Sequence, residues 1–229
     1  MSSKISTRRI VVQSTIWLEF MFACLFGGAG TLAWPEACFY IFIQTSSSAA
    51  MVLWLRKRNP ELLKVRMESW QRMSKPWDKA IMIFFIAGRI PLFILPGLDA
   101  IRYHWSHVAL PTKILGFAVL LGSSALIFWV LKTNPYSSAA VEIQKKRGHK
   151  PVTTGLYRFV RHPMYVGAIL WFISIPLALG SLTTLIPATI LAALIVLRTY
   201  LEDKTLQQEL EGYAAYTQTV KYRLIPRIW

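Results

Sequence analysis

The side chains best suited to chemistry crowd into one stretch, G-H-K-P-V-T-T-G-L-Y-R-F-V-R-H-P-M-Y-V-G, from Gly148 to Gly167. Arg158, Arg161 and His162 supply cationic or switchable donors, and Tyr157 and Tyr165 supply flat apolar faces with polar tips. Gly148, Gly155 and Gly167 admit backbone shapes that other residues resist, and Gly155 permits close approach of the main chain to a ligand. Pro163 sits where a helix would begin, because proline is well tolerated in a first turn. The stretch reads as a polar cap over the mouth of a helix bundle, able to hold a small charged molecule. The plainer reading is a basic loop that only fixes membrane topology. That reading accounts for Arg158 and Arg161, but leaves two histidines, two tyrosines and three glycines without a purpose.

A second cluster follows at Arg198 to Asp203. Arg198 and Glu202 are four residues apart and share a helical face. A carboxylate opposite a loop rich in His and Arg suits a zwitterion with both amino and carboxylate groups. The competing reading is an ion pair at the membrane edge, of small energetic weight.

Both clusters need elements to position them, and composition decides which kind. The chain has 229 residues, 54% hydrophobic, with mean hydropathy +0.41. Crossing about 30 Å of hydrocarbon takes about 20 apolar residues, and several segments reach that length. The fold class is therefore all-α, a polytopic membrane bundle with about six spans and no separate soluble domain. The expected spans are 10–33, 37–55, 80–98 and 110–131, then a hairpin over 163–200. As one helix those last residues would run about 57 Å, so Gly180-Ser181 is read as the break, with Pro176 and Pro187 as bends. The domain is single: spans one and two in 1–55, a connector in 56–79, spans three and four in 80–131, and a catalytic region in 132–229.

The net charge of +15 does not point to nucleic acid. Only Arg89, Arg102 and Lys113 lie inside or beyond the far end of the membrane, which leaves 23 of the 26 basic residues at one side. That is the positive-inside pattern next to an anionic leaflet, with both termini cytoplasmic. No small-residue cleavage site follows Arg8-Arg9, so the first apolar run reads as a retained span. Asn59 to Lys79 opens with a short helix whose Leu62, Leu63, Val65, Met67 and Trp70 either lie on the membrane surface or anchor a solvated connector. Glu19 and Arg89 fall inside spans. Glu19 is expected to face the interior, to be protonated, or to reach the interface; Arg89 is expected to point inward at a kink near Pro91. Cys24 and Cys38 read as two small buried thiols. His104 and His107, in an outer loop over 99–107, have a metal-compatible spacing but no third ligand, so they read as interfacial.

The residues Asn134, Gln144 and Gly148-His149, the run T-T-G-L-Y-R-F-V-R-H-P-M-Y-V-G and the run R-T-Y-L-E-D-K-T-L together resemble the isoprenylcysteine carboxyl methyltransferase family. The tail G-Y-A-A-Y-T-Q-T-V-K-Y-R-L-I-P extends the likeness, and N-P-E-L-L-K-V-R-M does so more weakly. The resemblance implies an integral membrane methyltransferase that uses S-adenosylmethionine on a lipophilic or lipidated acceptor. It sits in a bacterial inner membrane or the endoplasmic reticulum, with the active site toward the cytoplasm. It carries cofactor contacts to Gln144, to His149, Lys150, Pro151 and Val152, to Tyr157, to His162, Pro163, Met164 and Tyr165, and to Glu202. A substrate-side arginine falls on Arg198, and no metal is implied. Two departures stand out: the second acidic residue is the shorter Asp203, and Leu210-Glu211-Gly212 replaces the family's F-G. A sterol-reductase-type enzyme using NADPH, with Lys145, Lys146 and Arg147 on a 2′-phosphate, is the nearest rival. A scaffold or transporter is the other.

Overall fold

In the computed structural model, which describes residues 5–229, the chain is helical, and no strand occurs among the described residues. Five helices are long and apolar enough to cross a membrane: α1 (Thr7–Ala29), α2 (Pro35–Arg58), α5 (Pro76–Gly97), α6 (Leu110–Thr133) and α8 (Leu185–Glu209). Short α3 (Pro60–Met67) and α4 (Ser69–Arg72) fill the connector, and α9 (Tyr213–Thr219) closes the chain. The sixth apolar helix, α7 (Pro163–Leu179), has 17 residues. It rises only about 26 Å, short of the roughly 30 Å of hydrocarbon. The hairpin halves are therefore unequal, not two matched spans: α7 is short, and the 25 residues of α8 carry Arg198 to Asp203 beyond it.

The break falls as expected at Gly180, whose φ of +74° is left-handed and favours glycine. Pro176 lies inside α7, but Pro187 opens α8 without bending it. Helices α6 and α7 approach closely because Gly116 has no side chain. A Cβ there would sit 2.2 Å from the backbone nitrogen of Ala178. The bundle core forms around Met21, Leu25, Tyr40, Phe93, Leu120 and Ile175, all at most 1% exposed.

The helix ends divide into two poles. At one, Arg56 of α2 donates to Thr7 of α1, and the start of α5 meets the end of α8. At the other, Lys113 of α6 pairs with Glu36 of α2 at 2.7 Å. There α5 runs on into a π-helical turn, Leu98–Tyr103, so residues 99–103 are not loop. Asp99 is buried within that turn. It accepts bonds from the hydroxyls of Ser106, Ser181 and Thr183 and from the Thr183 amide, which pins the α7–α8 turn.

The inward-facing Glu19 and the buried cysteine pair are corrected; the other singled-out residues take the following places. Glu19 is exposed on the outer face of α1, because Met21, Leu25 and Gly28 occupy the inward face. Cys24 is part-buried and Cys38 exposed; both are free thiols, not a buried pair. Arg89 turns toward α1, its guanidinium 4.8 Å from the Trp17 ring centre. In the connector, Leu62, Leu63 and Val65 are buried against the protein and Trp70 is exposed. His104 and His107 are exposed, and the described residues hold no cluster of three metal-ligating side chains.

Candidate functional site

The pole at which α6 ends, α7 begins and α8 ends carries a cap built from residues 134–162 and the C-terminal segment. Its organising group is Asp203, which is fully buried on the last part of α8. Five side chains converge on its carboxylate. Arg161 binds it through two parallel bonds, Nε to Oδ1 at 2.8 Å and Nη2 to Oδ2 at 2.9 Å. Arg223 and Gln207 donate to Oδ2, the Tyr213 hydroxyl donates to Oδ1, and His162 Nε2 lies 3.2 Å from Oδ1. Burial opposes the charge on Arg161, but its bonds to Asp203 prevail and raise its pKa. The shorter carboxylate is thus the hub of the cap.

Arg161 also donates to the carbonyls of Val220 and Lys221, and the amides of Arg161 and His162 donate to the carbonyls of Tyr222 and Arg223. The tail is stitched across the start of α7 in this way. Helix α9 docks through Leu210, Tyr213, Tyr216 and Val220, all buried, and the Tyr216 hydroxyl donates to the Tyr157 carbonyl. Leu210 does the packing despite the altered Leu210-Glu211-Gly212 sequence.

Beneath the cap lies a cavity of about 90 Å³, whose wall includes Tyr157, Met164, Tyr165, Glu142, Glu202 and Tyr213. The Tyr165 hydroxyl donates to Glu202, and the Tyr165 and His162 rings stack at 5.7 Å and 11°. The other ring nitrogen of His162, Nδ1, is 4.0 Å from Glu202. The Tyr157 hydroxyl accepts from Asn134 at 2.7 Å. Glu142 is held by Arg72 at 3.6 Å, yet its Oε1 is buried with no hydrogen-bond partner among the described residues. A larger surface cleft of about 1220 Å³ shares His149, Lys150, Pro151, Leu210 and Tyr216 with the cavity.

His149 stacks on Tyr136 at 4.4 Å, and its Nδ1 accepts the Gln144 amide at 3.4 Å. Burial, with Arg147 adding to it, lowers its pKa to about 4. The ring is neutral near pH 7, and the accepting Nδ1 puts its proton on Nε2.

Of the sequence candidates, His149, Lys150, Pro151, Val152, Tyr157, His162, Met164, Tyr165 and Glu202 line the one cavity. Gln144, Pro163 and Arg198 do not. The Gln144 side chain donates to the Tyr136 carbonyl and accepts from Arg147, and Pro163 is the buried first residue of α7. Arg198 does not pair with Glu202. Its Nη2 lies 2.8 Å from Asp78 Oδ1, it donates to the Ala139 carbonyl at 2.6 Å, and its guanidinium stands 5.7 Å from the Tyr165 ring centre. Sequence reasoning missed Asp78, Glu142, Tyr213 and the roles of Arg161 and Asp203. For Asp78 the signal was an acidic residue beside Trp77 at the start of a span.

These features define a class: a polytopic membrane protein whose polar cap encloses a small-ligand cavity at the end of the bundle. Residues 114–208 match the isoprenylcysteine carboxyl methyltransferase family. The chain is 30% identical over 191 residues to protein-S-isoprenylcysteine O-methyltransferase of Schizosaccharomyces pombe, across 75% of this chain and 76% of that protein. It is 30% identical over 101 residues to protein-S-isoprenylcysteine O-methyltransferase B of Arabidopsis thaliana, covering 43% of this chain and 47% of that relative. The chain belongs to the isoprenylcysteine carboxyl methyltransferase family, a family of membrane methyltransferases that use S-adenosylmethionine. The reductase and scaffold readings fall with that membership.

Proposed function

We propose that this chain transfers the methyl group of S-adenosylmethionine to a lipophilic acceptor that reaches the site from the bilayer, with the cap toward the cytoplasm. The observation that carries the reading is the pair of carboxylates on the cavity wall: Glu202, bonded to Tyr165, and Glu142, with an oxygen left unpartnered. A ligand with an ammonium and a sulfonium suits acidic and aromatic walls. Tyr157, Tyr165 and Met164 supply the apolar surface against which a methyl carbon is held. Lys145 and Lys146, the residues suited to a 2′-phosphate, are exposed and line no part of this cavity, although Lys150 and Arg161 do. The charge asymmetry of the chain supports the cytoplasmic orientation.

The cofactor supplies an electrophilic methyl group whose leaving group departs neutral, so the protein's work is alignment and exclusion of water. Glu202 would hold the ammonium, His149 to Val152 would close over the cofactor's body, and Arg198 would orient an anionic acceptor. A prenylated cysteine carboxylate is the acceptor that fits the family. Titration of the solubilised protein with S-adenosylhomocysteine and NADPH side by side tests the reading, followed by turnover on prenylcysteine, lipophilic amine and lipophilic thiol acceptors. Binding of the homocysteine product with no binding of NADPH is expected, with methylation of the carboxylate alone. Binding of NADPH only would overturn it.

A further inference from the structure

Arg198 is buried, 6% exposed, and a buried guanidinium needs a countercharge. Glu202 sits one helical turn away on the same helix and was the obvious partner. The structure gives that role to another residue. Glu202 is occupied by the Tyr165 hydroxyl on the cavity wall, while Asp78 of α5, 0% exposed, lies 2.8 Å from Arg198 Nη2. The two carboxylates divide the work: Glu202 faces the cavity, and Asp78 never reaches it.

Asp78 has a second bond. Its Oδ2 accepts the amide of Val141 at 2.9 Å, and Arg198 donates to the carbonyl of Ala139, two residues earlier. Arg66 of α3 donates to the carbonyl of Ser137, two residues before that. Alternate residues of one strap are thus held by three charged side chains from three different helices. The same strap presents Ser137, Ser138, Ala140, Val141 and Glu142 to the cavity. Arg198 Nε and Asp78 Oδ1 are both buried without a hydrogen-bond partner among the described residues, so the 2.8 Å pair is held by charge and not by an aligned bond.

We propose that Asp78 is a positioning residue for methyl transfer: its charge holds the Arg198 guanidinium in place and, through Val141, ties it to the cavity wall. Asp78 touches neither cofactor nor acceptor. It acts by keeping the Arg198 charge at the place from which an anionic acceptor is aligned with the methyl group. This rests on the methyltransferase reading given above.

The test uses the full chain in detergent micelles. Asp78→Asn keeps an oxygen for the Val141 amide and removes the charge. Turnover on a lipophilic carboxylate should fall tenfold to a hundredfold, the range expected for one charge-assisted contact. Affinity for S-adenosylhomocysteine should stay within about twofold of wild type. The double variant Asp78→Asn/Arg198→Lys should be no slower than Arg198→Lys alone, because both act through one guanidinium. Full turnover in Asp78→Asn, a matching loss of cofactor affinity, or additive losses in the double variant would overturn the proposal. If Asp78→Asn does not survive solubilisation, Asp78→Glu moves the charge by one methylene and carries the same test. Slowed turnover with unchanged homocysteine affinity supports the role, and unchanged turnover overturns it. Failure of the wild-type protein to bind S-adenosylhomocysteine would count against the methyltransferase reading itself, which separates the two failures.

Discussion

Asp203→Asn removes the charge around which the cap is tied. The asparagine side chain keeps one acceptor oxygen but must turn an NH2 group toward Arg161 or Arg223, both of which are donors only. Arg161 is 6% exposed and Asp203 0%, so the lost pair is a buried one. Removing one partner of such a pair costs about 3–5 kcal/mol. At about 1.4 kcal/mol per decade, that is roughly two to three and a half decades in the ratio of closed to open cap. The first part of the loss is absorbed by whatever margin keeps the wild-type cap closed, and the remainder appears as weakened ligand binding. Isothermal titration of S-adenosylhomocysteine should show at least a tenfold loss. Limited trypsin digestion should cut after Lys221 and Arg223, residues whose backbones are stitched to Arg161 and His162 in the closed cap. The bundle should keep its helical circular dichroism, since Asp203 binds only cap residues and its neighbour Gln207. An affinity within threefold of wild type, with the tail still resistant, would refute Asp203 as the hub.

Further outcomes follow from other parts of the molecule. His149 has a folded-state pKa of about 4 against about 6.5 when unfolded, so its contribution to stability is complete above pH 6.5 and is lost as pH falls toward 4. That loss is on the order of 1 kcal/mol once screening at a part-exposed ring is allowed for. Thermal midpoints between pH 7 and 4.5 should fall, and less steeply in His149→Phe. Gly116→Ala should lower the thermal midpoint, because its Cβ would meet the Ala178 backbone, with an overpacking cost of about 1–3 kcal/mol. Gly122→Ala in the same helix, where a Cβ meets nothing within 4 Å, should be neutral or stabilising. Cysteines placed at Lys145 and at Leu182, both exposed, should label from opposite sides of the membrane. Labelling from the same side would overturn the six-helix path.

The bundle was legible because membrane spans announce themselves by length and apolarity, and Gly180 marks its turn by chemistry that few residues share. The bounds of α7 were legible too, since Pro163 marks its start and Gly180-Ser181 its end; that its 17 residues fall short of a full span was not drawn from them. Within the site, His162, Tyr165 and Glu202 were singled out by the resemblance of their motifs to the family, and they line one cavity. Asp78 was not, because its partners Arg198 and Val141 stand 120 and 63 residues away in sequence. The inward-facing option for Glu19 failed for a related reason. Hydropathy gives depth in the membrane, but the direction a side chain points depends on which face of α1 meets α5, and that is settled by packing.

Three clamps grip the strap over residues 137–141 by its main chain: Arg66 on one carbonyl, Arg198 on another, Asp78 on an amide. Selection on those three charges therefore places little demand on the identity of the strap's own side chains beyond their size. A saturation library across Ser137 to Val141 should tolerate most small and medium substitutions. Proline is the exception, since the amides of Ser137, Ser138, Ala140 and Val141 are all bonded, the last to Asp78. Relatives would then be free to drift at the strap while keeping Arg66, Asp78 and Arg198, and an alignment of their sequences would display the clamps as three unconnected points with nothing visible between them.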